Sequence, residues 1–259
     1  VTIPNYGEEF DGKRVVLTGA SGIIGTWIAE AFSAAGAELL LCDNRVEPLK
    51  ELGGRLGAHS VISDLSTESG IEEVLVALDR LWPTADILVN NAGIYPRTPV
   101  ATTDRGLIES IFDVNVIAPF QLAQHVIATM TEAGVEGNVI NLSSGAAQRT
   151  TRTGGIYAAS KSALEMLTKA LALESAEAGI RVNAVAPGFA PGSEVSDLPP
   201  EHVDKMRRTI PLGRTSGPRD ASSAILWLCS SAASFVTGTT LTVDGGRTAG
   251  DFTPTPRSS

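Results

Sequence analysis

The stretch KRVVLTGASGIIGTWIAEAFSAA, residues 13–35, decides the fold. Lys13 to Thr18 carries a short apolar run and reads as a buried strand. Ile23 to Ala35 repeats apolar residues at helical spacing. Between them lie Gly19, Gly22 and Gly25, so the chain turns where side chains would be in the way. A strand that enters a helix through such a turn opens a right-handed βαβ unit.

Working outward, the alternation continues. Strands are expected at Glu38–Asp43, His59–Ser63 (weaker), Asp86–Val89, Asn138–Leu142, Arg181–Val185 and Thr240–Val243. Helices are expected at Thr67–Trp82, stopped by Pro83, and at Gly155–Glu177, ended by Gly179. Two more are expected at Ala221–Ser230 and at about Asp104–Thr131, the latter with a local distortion at Pro119. This is the pattern of an α/β fold: one doubly wound, Rossmann-like parallel sheet in a single domain, with helices on both faces. The domain reads as 13–246, after an N-terminal extension 1–12 and before a tail 247–259 expected to be frayed or loosely docked. Gly188 to Pro218 breaks the rhythm, is rich in Pro and Gly, and holds only a short helical segment at Pro200–Arg208. It reads as a substrate lid.

Composition narrows the function. Of 259 residues, 43% are hydrophobic and only 5% aromatic, so the core rests on Val, Ile, Leu and Ala, as parallel strands under helices require. The net charge of −9 argues against nucleic acid or an anionic membrane surface as partner. The two cysteines, Cys42 and Cys229, sit in apolar runs and read as buried free thiols. The three histidines lie far apart without ligand spacing, so no metal site is expected. Val1 to Phe10 lacks a signal-peptide pattern, and no uninterrupted apolar run long enough for a bilayer is read, so a cytoplasmic location is expected.

The glycine turn brings backbone amides and a helix N-terminus to one place, which suits a pyrophosphate. The residues implied are Gly19, Ser21, Gly22, Ile23, Ile24 and Gly25. Asp43 ends the second strand, 18 residues after Gly25. A carboxylate at that distance accepts hydrogen bonds from an adenosine ribose and repels a 2′-phosphate, which favours NAD over NADP. Arg45 weighs the other way, unless it is a solvated surface arginine.

Tyr157 and Lys161 are four residues apart on an expected helix and share a face. A tyrosine titrates near pH 10, too high for a base at neutral pH, and a neighbouring ammonium is expected to lower that value. Ser144 follows the fifth strand, at the sheet edge where parallel α/β enzymes place their chemistry. It reads either as a hydroxyl that holds the substrate oxygen or as a polar turn residue.

With these residues in view, the sequence resembles the short-chain dehydrogenase/reductase family in its compact single-domain form. The resemblance runs from about Lys13 to Gly246 and rests on TGASGIIG, Asp43, Asp64-Leu65, Asn90-Asn91-Ala92-Gly93, Asn115, Ser144, Tyr157-x-x-x-Lys161, Pro187-Gly188 and Val243-Asp244-Gly245-Gly246. It implies that Tyr157 is the general acid/base and that Ser144 orients the reacting oxygen. Lys161 would hold the nicotinamide ribose, and Asn115 would position a water. Asp64 and Leu65 would flank the adenine. Asn91, Ala92 and Gly93 would line the cofactor cleft, and Pro187, Gly188 and Ala190 would sit by the nicotinamide.

Two positions depart from the family pattern. Ile23 stands where the compact members have their middle glycine, and Gly22 comes one residue early, as in the extended members that run epimerase and dehydratase chemistry. The length argues against that class. After Gly188 the expected threonine is missing, and Ser193 or backbone groups would take its part.

The substrate is expected between the loops after Ser144 and Gly188, near Tyr95, Arg97, Ala146, Gln148, Arg149, Arg152 and Phe189. The three arginines read either as contacts for an anionic or polar substrate or as solvated loop residues. A small or flat alcohol/ketone substrate fits the short lid. Two other readings stay open. A 3-oxoacyl carrier-protein reductase using NADPH is one, since Ile210 to Arg214 resembles those enzymes and Asp43 speaks against it. A dinucleotide sensor without turnover is the other, though all four catalytic positions are filled. The resemblance, with the two long helices 104–131 and 155–177, implies a homotetramer.

Overall fold

The computed structural model describes residue 6, residues 8–192 and residues 199–253. Seven parallel strands form one sheet in the order β3-β2-β1-β4-β5-β6-β7. They are β1 (Arg14–Thr18), β2 (Glu38–Asp43), β3 (His59–Ile62), β4 (Ile87–Asn90), β5 (Asn138–Leu142), β6 (Arg181–Pro187) and β7 (Thr240–Val243). The helices are α1 (Ile23–Ala34), α2 (Val46–Leu56), α3 (Glu68–Leu81), α4 (Arg105–Phe112), α5 (Ala118–Ala133), α6 (Gly155–Ser175), α7 (Pro200–Arg208) and α8 (Asp220–Cys229).

Alternate side chains of each strand serve opposite faces. Val15 and Leu17 of β1 join Leu39 and Leu41 of β2 under Ile28 and Phe32 of α1 and Ile225 of α8. Val16 joins Leu40, Leu88 and Val139 on the other face, under Val74 of α3 and Leu122 and Met130 of α5. Register follows from this, since a slip of one residue would turn both sets outward. Asp86 fixes the central pair at its start: the Arg14 amide and Nε donate to its Oδ2 at 2.9 and 2.7 Å.

Strand order reverses between β1 and β4. The chain winds outward from β1 to β3, then crosses to β4 and winds the other way, so the connections beyond these two carboxyl ends part and leave a crevice.

Two features correct the sequence reading and one bears it out. Helix α2 is absent from it, because Pro48, Gly53 and Gly54 look like breakers. Pro48 falls in the first turn, where an amide has no intrahelical acceptor, and Leu49 and Leu52 bury against the sheet. The long helix expected at about 104–131 does carry its distortion near Pro119, as a π turn at Asp113–Ile117. Taken together, Arg105–Ala133 is long and apolar enough to cross a bilayer by length and composition alone, yet it packs its Ile111, Val114, Leu122 and Val126 inward. The tail is not frayed at its start. Asp244 accepts the amides of Gly246 and Thr248 at 2.9 and 2.8 Å and the Thr248 hydroxyl at 2.6 Å.

Candidate active site

A cleft of about 1350 Å³ opens over the carboxyl ends of the strands. The glycine turn is its floor. Gly19 has φ +62°, and a Cβ there would lie 2.7 Å from Cα of Ala92. At Gly25 a Cβ would lie 2.1 Å from the carbonyl oxygen of Gly19. Both positions demand glycine. Gly22 meets only ordinary to tight contacts, 3.3 Å from the Gly19 oxygen and 3.8 Å from Arg45 Nη2. It is the N-cap of α1 and offers no side chain to the helix amides. The early glycine therefore changes the cap and leaves the two close approaches intact. Ser21, Ile23 and Ile24 line the cleft beside it.

Thr18, unnoticed in the sequence, ties this turn to the loop after β4. Its hydroxyl accepts the amides of Asn91 and Ala92, each at 3.1 Å. The Asn91 side-chain Nδ2 donates to the carbonyls of Thr18 and Gly19 at 3.0 and 2.8 Å. Asn91, Ala92 and Gly93 line the cleft as expected.

Asp43 is buried at the end of β2. Its Oδ2 accepts the Ser21 amide at 3.0 Å, and its Oδ1 accepts the Arg45 amide and Nε at 3.0 and 3.2 Å. Arg45 also donates to the Ser21 hydroxyl at 2.9 Å. Arg45 is thus a partner of Asp43 and not a solvated surface arginine. Asp64 and Leu65 line the same end, and Pro187, Gly188 and Ala190 the opposite one. Ser193 lies outside the described residues. The glycine floor, the uncapped helix start and the Asp43 carboxylate fit a dinucleotide laid across the crevice.

Of the four expected catalytic side chains, Ser144 and Tyr157 line the middle of the cleft, while Asn115 and Lys161 are buried behind it. Tyr157 stands in the first turn of α6, its phenol near enough to the Ser144 hydroxyl to be affected by it. Burial holds this phenol above its ordinary value and Tyr95 adds to that, while Ser144 opposes both. The Tyr95 and Tyr157 ring centroids are 6.0 Å apart at 61°. Ser144 also caps a short turn by accepting the Ala146 amide at 3.1 Å. The turn role read for Ser144 is present, and its hydroxyl also lines the cleft.

Lys161 corrects an expectation. It does not depress the tyrosine in this structure. Its Nζ is buried and donates to the Leu142 carbonyl at 2.7 Å, and burial pushes its own pKa down to about 8. Asn115 sits in the π turn, fully buried. Its Oδ1 accepts the Ile94 amide at 2.9 Å, and its Nδ2 donates to the Ile94 carbonyl at 2.9 Å and to Ser160 Oγ at 3.0 Å. Ser160 passes this on by donating to the Tyr157 carbonyl at 2.8 Å. Asn115 thus clamps the loop after β4 to the helix that carries Tyr157. Ser160 was missed, although it stands next to Lys161. Thr153, with φ +77°, completes the clamp by accepting the Thr98 amide at 3.0 Å.

At the substrate end, Tyr95, Arg97, Ala146, Arg149 and Phe189 line the cleft. Gln148 and Arg152 are not among its lining residues; Gln148 reaches Thr242 Oγ1 at 3.1 Å, on the β7 side. Arg247 and Thr248, placed in the tail by the sequence, line it instead.

Comparison with known proteins agrees with this geometry. A family model described as Enoyl-(Acyl carrier protein) reductase matches residues 19–248. The chain is 37% identical over 254 residues to 3beta-hydroxysteroid dehydrogenase 1 of Eggerthella lenta, covering 93% of this chain and 95% of that protein. The chain belongs to the short-chain dehydrogenase/reductase family. It is also 35% identical over 252 residues to glucose 1-dehydrogenase 2 of Bacillus subtilis, covering 93% and 96%. Its fold is similar to a solved 4-hydroxyisoleucine dehydrogenase complexed with NADH, with a TM-score of 0.87, 30% identity, and coverage of 93% of this chain and 100% of that one. As a short-chain dehydrogenase/reductase it is an oxidoreductase that acts on CH–OH donors with a nicotinamide dinucleotide.

Proposed function

We propose that the protein interconverts a small secondary alcohol and its ketone, with NAD(H) as dinucleotide and Tyr157 as general acid/base. The hydroxyls of Ser144 and Tyr157, which line the cleft together beyond β5, carry this reading. When bound, the dinucleotide would accept or supply the hydride. Ser144 holds the substrate oxygen, and Tyr157 takes its proton in oxidation or returns it in reduction. A phenol held above its ordinary value is protonated at neutral pH, ready to give that proton to a carbonyl. Lys161 fixes the ribose, and Asn115 keeps the Ile94 loop in place. Burial of the cleft floor keeps water from competing for the proton.

Asp43 supports NAD. Its carboxylate faces the adenosine end, and Arg45 is bound to it at 3.2 Å, so the pair offers no surplus positive charge for a 2′-phosphate. The buried thiols Cys42 and Cys229 suit a reducing cytoplasm. Fluorescence titration with NADH and NADPH tests the cofactor, followed by turnover of secondary alcohols. NADH is expected to bind more tightly, and Asp43→Ala to narrow the gap. Tighter NADPH would bring a 3-oxoacyl carrier-protein reductase forward. Tyr157→Phe is expected to lower kcat by about 10²–10⁴ while NADH still binds. Turnover close to that of the unmodified enzyme would end the Tyr157 assignment.

A further inference from the structure

Three arginines reach the substrate end of the cleft from three separate places. Arg97 follows β4, Arg149 follows β5, and Arg247 follows β7. Arg149 Nη1 donates to the Arg247 carbonyl at 3.3 Å, and Arg247 Nη2 lies 3.8 Å from Met206 Sδ of α7. Among the described residues, none of the three has a carboxylate within ion-pair distance. Six arginines elsewhere are paired with one, and Arg80, Arg152, Arg181, Arg208 and Arg219 share the lack of one among the described residues, but none of these five lines the cleft.

Asp244 is the one acid lining this end among the described residues, and its oxygens are taken by Gly246 and Thr248. Arg247 is half-buried. Burial lowers its pKa and the charge of Arg149 lowers it further; Asp244 opposes this in part, and Arg97 adds to the lowering. Arg97 and Arg149 are exposed and Arg247 is half-buried, yet all three line one end of the same cleft, on a chain whose net charge is −9.

We propose that Arg97, Arg149 and Arg247 form a receptor for an oxyanion on the substrate, so that the alcohols and ketones turned over carry a carboxylate or a phosphate. This rests on the oxidoreductase reading above and names its substrate class. A guanidinium presents paired donors that match either oxyanion, and such charge-assisted bonds are the strong ones in a partly desolvated site. The anion also relieves the repulsion among the three cations.

The test uses a matched set on one skeleton: cyclohexanol, 4-hydroxycyclohexanecarboxylate and cyclohexane-1,4-diol monophosphate. Each is titrated by calorimetry into the NADH-saturated protein and assayed separately with NAD. The carboxylate or the phosphate is expected to bind at least tenfold more tightly than cyclohexanol, and the tighter of the two names the anion. Arg247→Gln and Arg149→Gln are each expected to remove most of that preference, with Arg247→Lys restoring part of it. Arg97→Gln and Arg149→Gln, both at exposed positions, carry the test if Arg247→Gln does not fold. Equal binding of all three compounds overturns the inference, even if each is oxidised. Preferred anion binding without any oxidation supports the receptor and counts against the oxidoreductase reading instead.

Discussion

Lys161 is a cation kept where water does not reach it. Its pKa of about 8 lies well below the roughly 10.4 of a free lysine, so the folded protein holds its proton less firmly than the unfolded chain does. Below pH 8 the charged form is buried at full cost, about 3 kcal/mol against stability. Between pH 8 and 10.4 the unfolded chain binds more protons, so this contribution improves as pH rises. Lys161→Met removes it. The stability of that variant relative to the unmodified protein is therefore expected to fall by about 3 kcal/mol between pH 7 and 10.5. Denaturant melts across that range would show it, and a flat difference would mean that the ammonium is solvated after all. Burial pushes Cys42 and Cys229 to about 12, so alkylation of either thiol at pH 8 is expected only after unfolding.

At the scale of elements, the turn between β1 and α1 makes the sharpest distinction. Gly25→Ala puts a methyl group into the Gly19 carbonyl and is expected to destabilise by about 3 kcal/mol or more, with loss of NADH binding. Gly22→Ala meets nothing closer than 3.3 Å and is expected to cost about 1 kcal/mol, mostly from a poorer cap. Thermal melts of the two variants settle the order. This turn was legible because its constraints are local: glycines, a strand before and a helix after. The same holds for β2, β5 and β7, whose ends follow directly from apolar runs and the residues that interrupt them. Helix α2 was not legible, because a proline in a first turn looks the same in sequence as a proline that breaks a helix. Nor was the relation of Lys161 to Tyr157. Four-residue spacing puts two side chains on one face, but whether an ammonium turns to a phenol or to the Leu142 carbonyl depends on what packs around it. Arg247 was missed because no local signal says that a tail folds back; the cue was Asp244, whose carboxylate gathers the amides that follow it.

The whole molecule leaves apolar side chains on the outer faces of its long helices. Leu173 and Met166 of α6 are 81% and 64% exposed, and Phe120 of α5 is exposed as well. A tetramer would cover them, and size-exclusion chromatography at micromolar concentration is expected to give four times the 26.9 kDa chain. Leu173→Glu with Met166→Glu is expected to shift that peak to smaller species without loss of helical signal. A monomer from the unmodified protein would contradict the tetramer directly.

The sheet order has one more consequence, for how the molecule comes into being. Residues that line the cleft run from Gly19 to Thr248, nearly the full chain. During synthesis, β1 to β4 can assemble into one half of the sheet as soon as they emerge, and that half already holds the glycine turn and Asp43. The wall that faces the substrate waits for β7 and for the Asp244 turn after it, which arrive last. At synthesis rates of about 5–20 residues per second, on the order of ten to thirty seconds separate the emergence of β4 from that of β7. A dinucleotide in the surrounding solution could meet that half before release, serving the unfinished chain as a template for folding.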